Sequence, residues 1–174
     1  MPSNVTTPGS IVAYLSELLK LSPAQLIGTS ILMQKRLSTA TTSGSDEYRV
    51  PADRDLVVFQ IQSTFRSSLI ATEVATNAIF TAHTLDDLEE IRSSNCLVGI
   101  LNKDRQLKVF DNRDIPLNAI RKTPIYFPAM APLLIPATHT LQATFTLQDT
   151  TAAVVGAAAD YGVMLTGVLI PKRI

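Results

Sequence analysis

The sequence has no tryptophan, one cysteine, two histidines and only seven glycines in 174 residues. Each shortage closes off a class of chemistry. A single cysteine, Cys96, excludes an intramolecular disulfide and a multi-cysteine metal site. Two histidines, His83 and His139, cannot supply a three-histidine metal centre within one chain. None of the seven glycines has the spacing of a phosphate-cradling loop, and no Gly-x-Ser-x-Gly elbow occurs. With aromatics at 6%, a platform for stacking sugars has only Tyr14, Tyr48, Tyr126 and Tyr161 to draw on, beside the phenylalanines. Charge is sparse at 17% and balanced, with 15 basic against 15 acidic residues. That balance excludes a strongly basic nucleic-acid binder and an acidic disordered tail. The basic pairs Lys35-Arg36, Arg121-Lys122 and Lys172-Arg173 are scattered, so no nucleic-acid partner is expected. No apolar run reaches the roughly 20 residues of a membrane span, and Met1-Pro2-Ser3-Asn4 lacks the basic start of a signal peptide. The expectation is a soluble chain made in the cytoplasm, with no membrane partner.

What is present is apolar and β-branched. Hydrophobic residues make up 46% and mean hydropathy is +0.21, high for a small soluble monomer. Nineteen threonines suit a sheet with one wetted face. Residues 1–8 read as a loose arm, and the apolar positions 11, 14, 15, 18 and 19 trace a helical stripe that Ser10 is placed to cap. Ser22-Pro23 opens a second short turn that Gly28 should end. Residues 30–36 read as a strand. Leu37 to Asp46, rich in Ser and Thr, reads as a linker. The division expected is an arm and helical appendage over 1–40 and a β-sandwich domain over 41–174.

Strand patterns dominate after the linker. In Asp55 to Phe65, Val57, Phe59, Ile61 and Phe65 share one parity, while Gln60, Gln62 and Thr64 share the other. A strand is placed near 76–82. Thr84 to Ile91 reads as one short inserted helix with acidic first turns. Asn95–Leu101 and Gln106–Phe110 make a hairpin across the polar turn 102–105. Pro124, Pro128, Pro132 and Pro136 forbid a helix and a central strand, so this stretch should run extended along an edge. From Thr140 the pattern alternates strictly: Leu141, Ala143, Phe145 and Leu147 face inward. Tyr161 to Ile170 is apolar almost throughout, which predicts a strand covered on both faces. The fold class expected is all-β: an antiparallel β-sandwich of jelly-roll type with an N-terminal helix and arm.

The titratable residues offer little for catalysis. Cys96 sits in the apolar run Cys96-Leu97-Val98-Gly99-Ile100 and reads as a buried small hydrophobe. His83 and His139 lie far apart in sequence and read as isolated edge residues rather than ligands. Asp53, Arg54 and Asp55 read as turn charges rather than a catalytic carboxylate pair. The acidic helix lacks the spaced ligands and glycine turn of a calcium loop. No catalytic residue, cofactor-binding residue or metal ligand is assigned, no cofactor is expected, and the chain is read as non-enzymatic.

Three segments resemble structural proteins of tailed bacteriophage particles. They are Leu107-Lys108-Val109-Phe110-Asp111-Asn112-Arg113-Asp114-Ile115-Pro116-Leu117, the run from Leu133 to Phe145 with its Ile135-Pro136-Ala137 step before the alternating strand, and the closing run from Gly162 to Pro171, which ends in a Gly-x-x-Ile-Pro step. The resemblance covers about residues 95–174. It implies a virion protein of jelly-roll type: a capsid cement or decoration protein, or a minor head protein. The partners it implies are the chain's own copies, as a homo-oligomer, and other virion proteins, the major capsid protein first. The place it implies is the virion, assembled in the host cytoplasm. The alternatives are a collar, neck or tail structural protein, or a ligand- or receptor-binding β-sandwich module.

Overall fold

The computed structural model describes residues 8–66, 85–110, 113–128, 131–156 and 158–172. Two antiparallel sheets face each other. In the first, β1 (Ile27–Leu37), β10 (Ala159–Pro171) and β3 (Arg54–Arg66) lie side by side. The short strands β7 (Ile125–Tyr126) and β8 (Leu133–Ile135) pair in succession with the far edge of β3. In the second, β2 (Ser43–Arg49), β9 (Thr140–Leu147) and β4 (Cys96–Asn102) lie in that order. Here β5 (Leu107–Lys108) and β6 (Ile115–Pro116) pair with the far edge of β4. The helices are α1 (Pro8–Leu19), α2 (Leu85–Ser94), α3 (Ala119–Lys122) and α4 (Ala152–Val155), with a 3-10 turn at Pro23–Gln25. The chain is an all-β sandwich.

The main core lies between the sheets. β9 shows why the sequence folds this way. Its inward residues Leu141, Ala143, Phe145 and Leu147 are buried, while Thr144 and Thr146 face solvent. A period of two puts one set on the core face, and any one-residue slip would expose all of it. Opposite them stand Ile31, Met33, Leu56, Val58, Ile61, Val163 and Leu165 from the first sheet. Fully burying a side chain of this size contributes about 1.5–3 kcal/mol. A second, smaller core covers the outer face of the first sheet. There Leu15 of α1 and Leu26 pack on Val57, Phe59, Val168 and Ile170. β10 is therefore covered on both faces, as its continuous apolar run predicts.

β3 departs from the simple alternation read in the sequence. Its pairing with β10 runs Thr166 with Gln60 and then Gly167 with Val58, so Phe59 is an extra residue on β3. A bulge of one residue reverses the parity of side chains. Val57 and Phe59 consequently point outward under α1, while Leu56, Val58 and Ile61 point into the main core, with Phe65 packed against it. The single inward set Val57, Phe59, Ile61 and Phe65 is thus split between two cores. Residues Asp55 to Phe59 are all buried, and the wetted face is confined to the second half of the strand.

The N-terminal region differs from expectation in three ways. The helix already runs from Pro8, so Ser10 lies inside it and is not its cap. Ser22 caps the Pro23–Gln25 turn in a capping box with Gln25, but Gly28 belongs to β1 and does not end the turn. The boundary expected at 40/41 falls in a tight turn. Ser38 Oγ accepts the Thr41 and Ala40 N–H groups at 3.1 and 3.2 Å, and β2 begins at Ser43. β1 pairs with β10 along all of its residues and contributes Ile31, Met33 and Leu37 to the main core. From Ile27 onward, the expected appendage is thus a strand of the sandwich. β2 is hidden in the sequence because none of its residues is buried. It is held by backbone pairing to β9.

The proline-rich stretch runs along the β3 edge as predicted, with Phe127 N–H donating to Phe59 O at 2.8 Å. The strand placed near 76–82, Thr84 and His83 lie outside the described residues.

Candidate functional site

The structure separates the titratable residues that the sequence singled out. Cys96 begins β4 and is fully buried opposite Leu147. Burial pushes its thiol up to about 12, against a lowering by a backbone hydrogen bond at Thr146. A thiol held protonated is a poor nucleophile. His139 precedes β9, with Nδ1 3.2 Å from Asn102 Oδ1. Asp53 and Arg54 pair with each other, and Asp55 turns away from both. Arg54 Nε lies 3.6 Å from Asp53 Oδ2, and its Nη1 donates to Gln25 O at 2.5 Å. Asp55 is buried and accepts the Ala137 N–H at 2.7 Å. On α2, Glu89 pairs with Arg121 at 2.6 Å. The four tyrosines do not share a platform. Tyr161 is buried edge-on to Phe65, Tyr48 packs on the main core, Tyr14 packs on the outer core, and Tyr126 is exposed. Among the described residues no group of three or more His, Cys, Asp or Glu could hold a metal. No described helix is long and apolar enough to cross a membrane.

The buried polar side chains bind backbone. Besides Asp55, Arg92 on α2 donates to the carbonyl of Val155 and so ties α2 to the end of α4. Asn95 donates to Asp149 O at 2.8 Å and accepts the Asp149 N–H at 2.7 Å. This two-way contact fastens the start of β4 to the end of β9. Each bond satisfies a peptide group in a connection that has no strand partner, where an unmade bond would be costly.

The sandwich has two lateral edges. At one, β1 and β2 run together, and Asp46 Oδ2 accepts the Gln34 N–H at 2.9 Å. Because this N–H points away from β10, strand alternation directs the backbone groups of Gly28, Ser30 and Leu32 outward as well. At the other edge, a cavity of about 240 Å³ opens between the β4–β5 hairpin and β8. Leu107, Val109, Leu133 and Leu134 line it, together with Arg105 and Lys108. Lys108 is paired with Asp114 at 3.0 Å. The exposed large hydrophobic residues among the described residues are Leu18, Ile27, Leu32, Leu107, Tyr126 and Leu134. Ile27 and Leu32 lie on β1, and Leu18 lies on α1, which covers the outer face of the first sheet. The last three lie on β5, β7 and β8.

The high hydropathy signalled surplus apolar surface, but no pattern in the sequence located it. Which apolar residue of a short strand stays exposed depends on strand order, which the sequence does not carry.

No family model and no curated protein matches the chain. Among solved structures it is similar to the NLP core of Drosophila, described as providing insight into pentamer formation and histone binding. Identity is 12%, the match covers 82% of this chain and 99% of that one, and the TM-score is 0.31. A likeness of that size bears on neither fold nor function.

Proposed function

We propose that the chain is a non-enzymatic structural protein of a tailed-phage particle, a capsid cement, decoration or minor head protein that binds the capsid and its own copies. One observation carries this reading. Five of the six exposed large hydrophobic residues among the described ones, Ile27, Leu32, Leu107, Tyr126 and Leu134, sit on edge strands of the sandwich. Apolar surface concentrated in this way marks protein contact. The likeness of residues 95–174 to phage structural proteins supplies the setting, which is the virion after assembly in the host cytoplasm. Few long charged side chains and zero net charge suit close packing against copies.

The test is the solution mass of the full chain by light scattering, alone and with empty heads of the phage that encodes it. A discrete oligomer that coats the heads is expected. A monomer that ignores them overturns the proposal. Binding to isolated neck or tail structures, with none to the shell, moves the protein to those positions.

A further inference from the structure

We propose that the cavity between the β4–β5 hairpin and β8 binds a small aliphatic carboxylate, with its chain against the walls of the cavity and its head on Asn102 and Arg105. The inference goes beyond the structural role proposed above and does not depend on it. The walls of this 240 Å³ space are Leu107, Val109, Leu133, Leu134 and Ile135. All are aliphatic, and they come from both sheets. An apolar cavity of about 150 Å³ admits benzene, so this one has room for a ligand of about ten non-hydrogen atoms. It lies below the range of about 300–1,000 Å³ that serves larger ligands.

Asn102 fixes the polar end. It closes β4 on the same face as Val98 and Ile100, which belong to the main core. It is 5% exposed and lines the cavity. Its Oδ1 accepts the Arg105 N–H at 3.4 Å and lies 3.2 Å from His139 Nδ1. Its Nδ2 amide has no acceptor among the described residues. A buried amide donor is normally satisfied, and an acceptor on a ligand in the cavity would satisfy this one.

The charges around the cavity favour an anionic acceptor. Arg105 and Lys108 line it, and among the described residues no carboxylate does. Lys108 is held by Asp114 at 3.0 Å. Arg105 is exposed and makes no ion pair among the described residues. The acidic residues nearby in the fold are already engaged. Asp104 Oδ2 accepts the Thr140 N–H at 2.7 Å, and Glu47 pairs with Lys103 at 2.9 Å. A carboxylate can therefore take the Asn102 amide and the Arg105 guanidinium together, where charge-assisted hydrogen bonds are the strong ones. An amine would meet only donors and like charge.

Calorimetric titration of the full chain with octanoate, 1-octanol and octylamine tests this. Octanoate should bind at one saturable site, at least about ten-fold more tightly than 1-octanol, and octylamine should not bind. Methyl NMR should show octanoate shifts concentrated at the five wall residues. Arg105→Gln should weaken octanoate about ten-fold and leave 1-octanol unchanged, while Arg105→Lys keeps part of the preference. Asn102→Asp keeps the oxygen that Arg105 N–H uses but replaces the free donor, and should also weaken octanoate. Because Asn102 is buried, its thermal unfolding is compared with the native chain, and the exposed Arg105 variants carry the test if it fails to fold. No saturable binding of octanoate would overturn the proposal. So would equal affinity for all three compounds, or methyl shifts centred elsewhere. Each of these results leaves the particle reading intact, and a chain that binds octanoate but ignores empty heads removes only that reading.

Discussion

Gly167 on β10 lies so close to Val57 on β3 that a Cβ on the glycine would stand 2.3 Å from the Val57 carbonyl oxygen. The contact occurs where Phe59 is inserted into β3 and the register shifts. The bulge brings backbone against backbone, and only a residue without a side chain fits. Two hydrophobic cores depend on it, because the parity change sends Val57 and Phe59 to one and Ile61 to the other.

Gly167→Ala should therefore destabilise the fold by about 2–3 kcal/mol, the range of an overpacked core. Gly28→Ala, where the added methyl meets open space, should change stability by about 0.5 kcal/mol or less. Thermal unfolding of both variants is the check. Equal effects would mean that the close approach at the bulge is wrong.

Phe145 is fully buried between the sheets, and its neighbour Thr144 faces solvent. Phe145→Ala should cost about 3–5 kcal/mol, as deletion of a buried aromatic ring does. Thr144→Ala should cost about 1 kcal/mol or less. Denaturant melts at matched protein concentration would read both. A similar loss for the two would contradict the register of β9.

Asp55 is a buried carboxylate that accepts the Ala137 N–H at 2.7 Å and so ties the start of β3 to the turn before β9. Asp55→Ala leaves that donor without its acceptor and should cost about 1–3 kcal/mol. Asp55→Asn keeps an oxygen in place and should lose less. Urea unfolding of the three proteins orders them, and an asparagine variant as weak as the alanine one would argue against the hydrogen bond as the source.

Cys96 makes stability depend on alkaline pH. Burial raises its folded value to about 12, well above that of a free thiol near 8.5. The folded state thus holds its proton where the unfolded state has released it. The stabilisation is complete below the unfolded value and is lost as pH rises from there toward 12. Across that window each rise in pH lowers the stability of the native chain relative to one without the thiol. Unfolding free energies between pH 8 and 11 should fall more steeply for the native chain than for Cys96→Ala. Parallel curves would show that the thiol is not held protonated. In the native state at pH 8, a thiol reagent should label Cys96 only on unfolding.

Much of the fold was legible because burial imposes a period on the chain. Leu141 to Leu147 announces a half-buried strand, and Tyr161 to Ile170 announces one covered twice, since each apolar side chain reports its own environment. The prolines at 124, 128, 132 and 136 likewise placed their stretch on an edge, because proline cannot serve a central ladder. β2 left no such trace. Its residues Ser43 to Arg49 are held by backbone hydrogen bonds, which every sequence can make. The Phe59 bulge was equally silent, because an extra residue alters parity without altering composition.

The sequence by itself determined the class of the fold, the inward residues of β9 and the absence of an intramolecular disulfide. These follow from side-chain hydrophobicity and from residue counts, which are local properties. The tertiary structure alone decided that β1 belongs to the sandwich. It also decided that Asp55 turns away from the paired Asp53 and Arg54, and that most of the exposed apolar residues among the described ones lie on edge strands. Those outcomes depend on which strand lies beside which, and strand order is set by the mutual packing of segments far apart in the chain.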